Sequence, residues 1–211
     1  MQDGSTSQTS STSSPLGAAY LPSGIRPSNF IKIHREGQDI SGTFVIDRKM
    51  KFPNERGFHL TLISGSGAVE ADVFCVPPST LETPIKDRTA INISSGRISI
   101  NLHRPQIEEG HYPVYLLIAG AQNSASRLSL PRSFKGSAYL GCTGNNVTFS
   151  PDVLANFTLF SEVDGVTKGF IGDFDHTQWK TDSQWAGDVL HWAPMNKVSS
   201  TLALRYDDED L

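Results

Sequence analysis

The residues best equipped for chemistry lie between Phe170 and Trp192, a stretch that holds all 3 tryptophans of the chain. Asp173, Asp175 and His176 form an Asp-x-Asp-His run. Such a run can pair a carboxylate with an imidazole as a general base, or offer oxygen and nitrogen to a divalent cation. A metal site needs further ligands, and the nearest other histidine is His191, 15 residues on. No metal is therefore expected. The bland alternative is that the aspartates cap and turn their own loop, since Asp readily bonds nearby backbone. Trp179, Trp185 and Trp192 are candidates to line a cleft for a sugar or small molecule. Equally, they are candidates to plug an open end of the core.

Other catalytic patterns are missing from the sequence. It contains no Gly-x-Ser-x-Gly elbow, no G-x-x-x-x-G-K-[ST] phosphate loop and no Cys-x-x-Cys pair, so serine-hydrolase, phosphate-loop and zinc readings have no support. No cofactor is implied. The net charge of −4 disfavours nucleic acid and anionic membrane surfaces, which select basic faces. The partner classes left open are protein, glycan and small molecule.

What must position these residues is a series of strands. Ala90 to Leu102 alternates apolar and polar residues on either side of Ser94-Ser95-Gly96, which signals two half-buried strands and a turn. Variants of that unit recur: Phe30–His34 with Ile40–Ile46, Phe58–Leu62 with Val69–Val73, Val114–Ile118 with Arg127–Leu130, Ala138–Leu140 with Val147–Phe149, and Val189–Trp192 with Val198–Tyr206. The turn glycines Gly37, Gly65, Gly96, Gly120 and Gly144 are 28, 31, 24 and 24 residues apart, a spacing that suggests a repeating supersecondary unit.

The expected fold is all-β: a short β-solenoid of about six strand-turn-strand units, with a β-sandwich as the alternative. In the solenoid, equivalent strands of successive units pair in parallel. In the sandwich, each unit pairs its own strands antiparallel. The expected core is a ladder of Ile33, Leu62, Ile93, Ile118 and Leu140, with Val73, Ile100 and Leu130 on a second wall.

Residues 1–28 read as a disordered Ser/Thr-rich tail and lead-in, residues 29–206 as one β domain, and 207–211 as a solvated acidic tail. Within the domain, 151–188 is a Trp- and Asp-rich insertion that opens on a short helix from Pro151, capped by Ser150. Cys75 and Cys142 are expected to be buried free thiols, with a single bridge left open. The longest apolar run, Val114 to Ala121, is too short to span a bilayer. With no n-region or h-region at the start, an intracellular, cytoplasmic setting is expected, secretion not being excluded; the N-x-Ser/Thr triplets at Asn92, Asn146 and Asn156 matter only on a secretory route.

Several pieces of the chain carry a resemblance. They are Asn29-Phe30-Ile31-Lys32-Ile33, Gly42-Thr43-Phe44-Val45-Ile46-Asp47, Leu130-Pro131-Arg132-Ser133-Phe134-Lys135-Gly136, Phe160-Ser161-Glu162-Val163, Phe170-Ile171-Gly172-Asp173-Phe174, Trp185-Ala186-Gly187-Asp188 and Tyr206-Asp207-Asp208-Glu209. Over about residues 29–209 the chain resembles an uncharacterised domain-of-unknown-function family of mushroom-forming fungi, itself similar to bacterial adhesin-like β-solenoid domains. The resemblance implies a solenoid and carries over no activity. The chain departs from the family at its turns, which read Gly-Gln-Asp, Gly-Ser-Gly and Gly-Asn-Asn where the family has Ser-x-Asn-Gly-Ser-Val.

The function is unknown from sequence. The favoured reading is a non-enzymatic β-solenoid that binds or scaffolds. The alternative is a cofactor-independent lyase or isomerase acting on a small molecule or glycan at Asp173, Asp175, His176 and His191.

Overall fold

The alternation from Ala90 to Leu102 is realised as one strand that does not stop at its Ser-Ser-Gly centre. In the computed structural model, which describes residues 21–48, 50, 57–77, 88–105, 113–141, 146–174, 185–197 and 199–209 apart from the side chain of Gln122, this strand runs from Thr89 to His103. Its first half, Ile91 to Ser94, pairs with Leu60 to Ile63 and its second, Arg97 to His103, with Ala68 to Phe74, while its register against Val114–Leu130 shifts between Ser95 and Arg97. Such an irregularity re-aims a strand without ending it. The expected turn is thus a corner.

In chain order the strands are β1 (Ile31–Arg35), β2 (Ile40–Ile46), β3 (Leu60–Ser64), β4 (Ala68–Cys75), β5 (Thr89–His103), β6 (Val114–Leu130), β7 (Gly136–Leu140) and β8 (Val147–Phe149). Helix α1 (Pro151–Ala155) follows, then β9 (Phe157–Val163), β10 (Val166–Ile171), β11 (Asp188–Trp192) and β12 (Thr201–Tyr206). Ser150 caps α1, its hydroxyl accepting the Val153 N–H at 3.3 Å. The protein is all-β, its sheet curled into a half-barrel.

Neighbouring strands pair mainly in parallel. One wall runs β1-β3-β5-β6-β11-β7; a second runs β2-β4-β5-β6-β12-β8, with the long strands β5 and β6 shared. Alternation sends every second side chain inward. Ile33, Leu62, Ile93, Ile118, Trp192 and Leu140 stand in register on successive strands of the first wall. The expected ladder is therefore present, with Trp192 set between Ile118 and Leu140. On the second wall Val73, Ile100 and Leu130 all face the core, although Ile100 pairs with Leu128 and Leu130 with Tyr206. Each fully buried aliphatic side chain in these rows contributes about 1.5–3 kcal/mol.

Chain order and spatial order differ. β11 and β12 come last, yet lie between β6 and the β7–β8 unit. The other edge of β7 is taken by β10, which pairs with it antiparallel and continues into β9. Close approach of β7 to β11 requires glycine: a Cβ on Gly136 would sit 2.0 Å from the Asp188 carbonyl oxygen. Corners stack through buried hydroxyls, Ser64 donating to the Gln38 carbonyl at 2.8 Å and Ser95 to that of Gly67 at 2.5 Å.

The β9–β10 hairpin occupies much of what reads in sequence as an insertion. Its turn is Asp164-Gly165, with φ of 53° and 67°. Positive φ at both central residues is the twist-matched geometry that favours Asp-Gly. The acidic end is exposed at Asp207 and Asp208 yet makes contacts with the domain. Asp207 meets His103, Asp208 meets Arg132, and the Glu209 carboxylate accepts from the Ser150 hydroxyl and the Tyr206 N–H. Cys75 is a buried free thiol, its pKa pushed up to about 12 by burial. Cys142 lies outside the described residues.

Candidate functional site

Alternation on the first wall places Asn92, Leu117, His191, Tyr139 and Lys168 in one outward row across β5, β6, β11, β7 and β10. The adjacent outward row ends Val189, Ser137, Phe170. At the β10 end these rows meet a group of aromatic rings. Phe174 packs edge-on against both Phe160, at 5.2 Å between centroids, and Phe170, at 5.5 Å. Trp185 packs edge-on against Phe170 at 5.4 Å. Phe160 owes its position to an irregularity: Lys168 pairs with Ser161 but Gly169 pairs with Leu159, leaving Phe160 as the extra residue of a bulge that re-aims its side chain.

Between these groups lies a cleft of about 560 Å³, walled by Tyr139, Leu159, Phe160 and Phe174, with Ser137, Thr158 and Lys168 among its polar groups. The Lys168 ammonium stands 5.5 Å from the centroid of the Tyr139 ring, a cation–π contact. On the other side of Tyr139 is His191, 5.9 Å away between ring centroids and tilted by 53°. Burial lowers the His191 pKa from its ordinary value, which keeps the imidazole neutral at pH 7.

The structure describes Asp173, His191, Trp185 and Trp192 among the sequence-derived candidates. Asp175, His176 and Trp179 lie outside the described residues. Asp173 is exposed, two residues past the end of β10 and five from Lys168, the residue in line with His191. His191 meets no carboxylate among the described residues. Trp192 is fully enclosed in the core and donates its indole N–H to Ser126 Oγ at 3.2 Å, so it offers no ring face to a ligand and is a core side chain within the first wall. Trp185 borders the aromatic group and donates to the Asp188 carbonyl at 2.9 Å. The cleft residues Tyr139, Phe160, Lys168 and Phe174 were not candidates from sequence. The signal that leads to them is Asp164-Gly165, which creates the hairpin that carries Phe160 and Lys168.

Two other clusters of ionisable groups are structural. The Asp188 carboxylate receives Arg104 Nη1 and Nη2 and the backbone N–H groups of Val114 and Lys135, each at 2.8–3.0 Å. With its surface enclosed it has no room for a substrate. It fixes where β6, β7 and β11 begin. On the second wall, His103 Nε2 lies 3.4 Å from Asp72 and Nδ1 3.5 Å from Asp207, with Phe74 stacked on the ring at 4.3 Å. Both ring nitrogens face carboxylates, so neither is placed to take a proton from a bound molecule. The hydrogen bond to Asp207, and after it the one to Asp72, raises the His103 pKa against the opposing effect of burial. Among the described residues no group of three or more His, Cys, Asp or Glu could hold a metal ion, and no helix is long and apolar enough to cross a membrane.

The fold and the cleft together define an all-β protein of parallel stacked strands with an aromatic-walled recess on its outer face. The chain belongs to the family described as Domain of unknown function (DUF7330), which matches residues 29–209. No curated protein matches the chain, and no solved structure does.

Proposed function

We propose that the chain is a non-enzymatic binding module: a short β-solenoid that holds a small amphipathic molecule in the cleft between β7, β9 and β10. The parallel registers from β1 to β7 and from β2 to β8 support the solenoid, in which each unit covers the apolar wall of the next. The observation that carries the binding role is the cleft itself. Its volume of about 560 Å³ lies in the range of small-molecule sites, and aromatic walls with a few polar groups are their usual lining. Among the described residues the catalytic reading has no comparable constellation, because His191 faces a tyrosine ring where a general base needs an orienting carboxylate.

The test is an amide and indole NMR titration of the full chain with 2-naphthylmethanol. The amides of Thr158, Leu159, Lys168 and Gly169 and the Trp185 indole are expected to shift together, with affinity falling about tenfold in Phe160→Ala at an unchanged melting temperature. Absence of shifts at these positions, or shifts confined to other faces, overturns the reading.

A further inference from the structure

The charge at the rim of the cleft narrows the class of ligand. We infer, resting on the binding role above, that the cleft selects amphipathic anions: an aromatic or aliphatic body seated against Tyr139, Phe160 and Phe174, with a carboxylate or other anionic group at Lys168.

Among the described residues Lys168 is the one cation that lines the cleft, and its described contact is with a ring that carries no charge. Among the described residues, neither Glu162 nor Asp173 neutralises it. Glu162 stands opposite Thr167, one position along from Lys168, and alternation turns that position to the other face of the hairpin. Asp173 does not line the cleft. His191 adds no charge, because burial keeps it neutral. Lys168 is thus a cation beside a largely apolar recess with no anion among the described residues paired to it, and an anionic group arriving there forms a charge-assisted hydrogen bond. The Tyr139 ring underneath limits where the ammonium can go, so the site is partly formed before the ligand arrives. The chain as a whole carries −4, so any preference for anions must come from this local geometry and not from a general attraction.

The experiment compares 2-naphthoate with 2-naphthylmethanol, a pair with the same ring system that differs in charge, by calorimetry and NMR on the full chain. The expected result is naphthoate binding about tenfold tighter at low salt, with the ratio shrinking as salt screens a partly exposed charge. Lys168→Met is expected to bring the ratio to about one, and Lys168→Arg to keep it. Equal affinity of the two compounds for the unaltered protein overturns the anion preference and leaves the binding role intact. If neither compound shifts the cleft amides, both readings fall.

Discussion

Arg104 and Asp188 meet as an enclosed, two-pronged pair, Nη1 to Oδ1 at 2.8 Å and Nη2 to Oδ2 at 3.0 Å. Arg104 follows the end of β5 and Asp188 begins β11, 84 positions later. The pair therefore joins the end of one strand to the start of another. Its surroundings come from separate pieces of the chain: Ser133 accepts from Arg104 Nε at 3.1 Å, Lys135 donates to Asp188, and Arg88 donates to the Gly187 carbonyl at 2.7 Å.

Removing one partner leaves the other charged and buried, which costs about 3–5 kcal/mol. Asp188→Asn is expected to lose about that much in urea unfolding. The double change Arg104→Met with Asp188→Leu is expected to recover a good part of it, since an apolar pair of similar volume can replace a buried ion pair. A loss below about 1 kcal/mol for Asp188→Asn contradicts the assignment.

Trp192 crosses the core from the first wall to the Ser126 hydroxyl on the second. Trp192→Ala is expected to cost about 3–5 kcal/mol, the range for emptying a large core position. Ser126→Ala leaves the indole N–H unpaired and is expected to cost about 1–3 kcal/mol. In Trp192→Phe, which has no N–H to satisfy, Ser126→Ala is expected to cost distinctly less. Equal costs in the two backgrounds show that the hydrogen bond carries nothing.

The sequence shows which residues face inward more readily than it shows who neighbours whom. Ile33, Leu62, Ile93, Ile118 and Leu140 were legible because a period of two is local and needs no knowledge of the partner strand. The placement of β11 between β6 and β7 was not legible, because it depends on Gly136 letting Asp188 approach and on Asp188 finding Arg104. Asp164-Gly165 is a local signal for the β9–β10 hairpin, but the Asp and Trp content around it reads as an insertion. Asp207, Asp208 and Glu209 read as a solvated run because their partners His103, Arg132 and Ser150 are all distant in sequence. Phe160 enters the cleft through a bulge, and a bulge breaks the very alternation by which strand faces are read.

His103 predicts a pH dependence of stability. Its folded pKa is raised, so its contribution is fully present below the unfolded value of about 6.5 and is lost as pH rises through the folded value. Stability measured by urea between pH 6 and 9 is expected to fall with pH in the unaltered chain and to be flatter in His103→Gln. The groups facing His103 are Asp72, Asp207 and the Phe74 ring, so Asp207→Asn is expected to remove much of the slope. Identical slopes in all three proteins contradict this role.

Gly136→Ala is expected to cost about 3 kcal/mol, the upper end for an overpacked core, because the atom in the way is backbone and cannot rotate aside. Its thermal midpoint, compared with that of Gly96→Ala, separates the effects, since a Cβ on Gly96 meets nothing within 4 Å. Equal midpoints contradict the close approach of β7 and β11.

The most direct test of the binding role is hydrogen exchange of the full chain with and without saturating 2-naphthoate. The account predicts slowed exchange across Thr158 to Phe160 and Lys168 to Gly169, with the second wall from Glu70 to Phe74 unchanged. Protection centred on the second wall, or none at all, contradicts it.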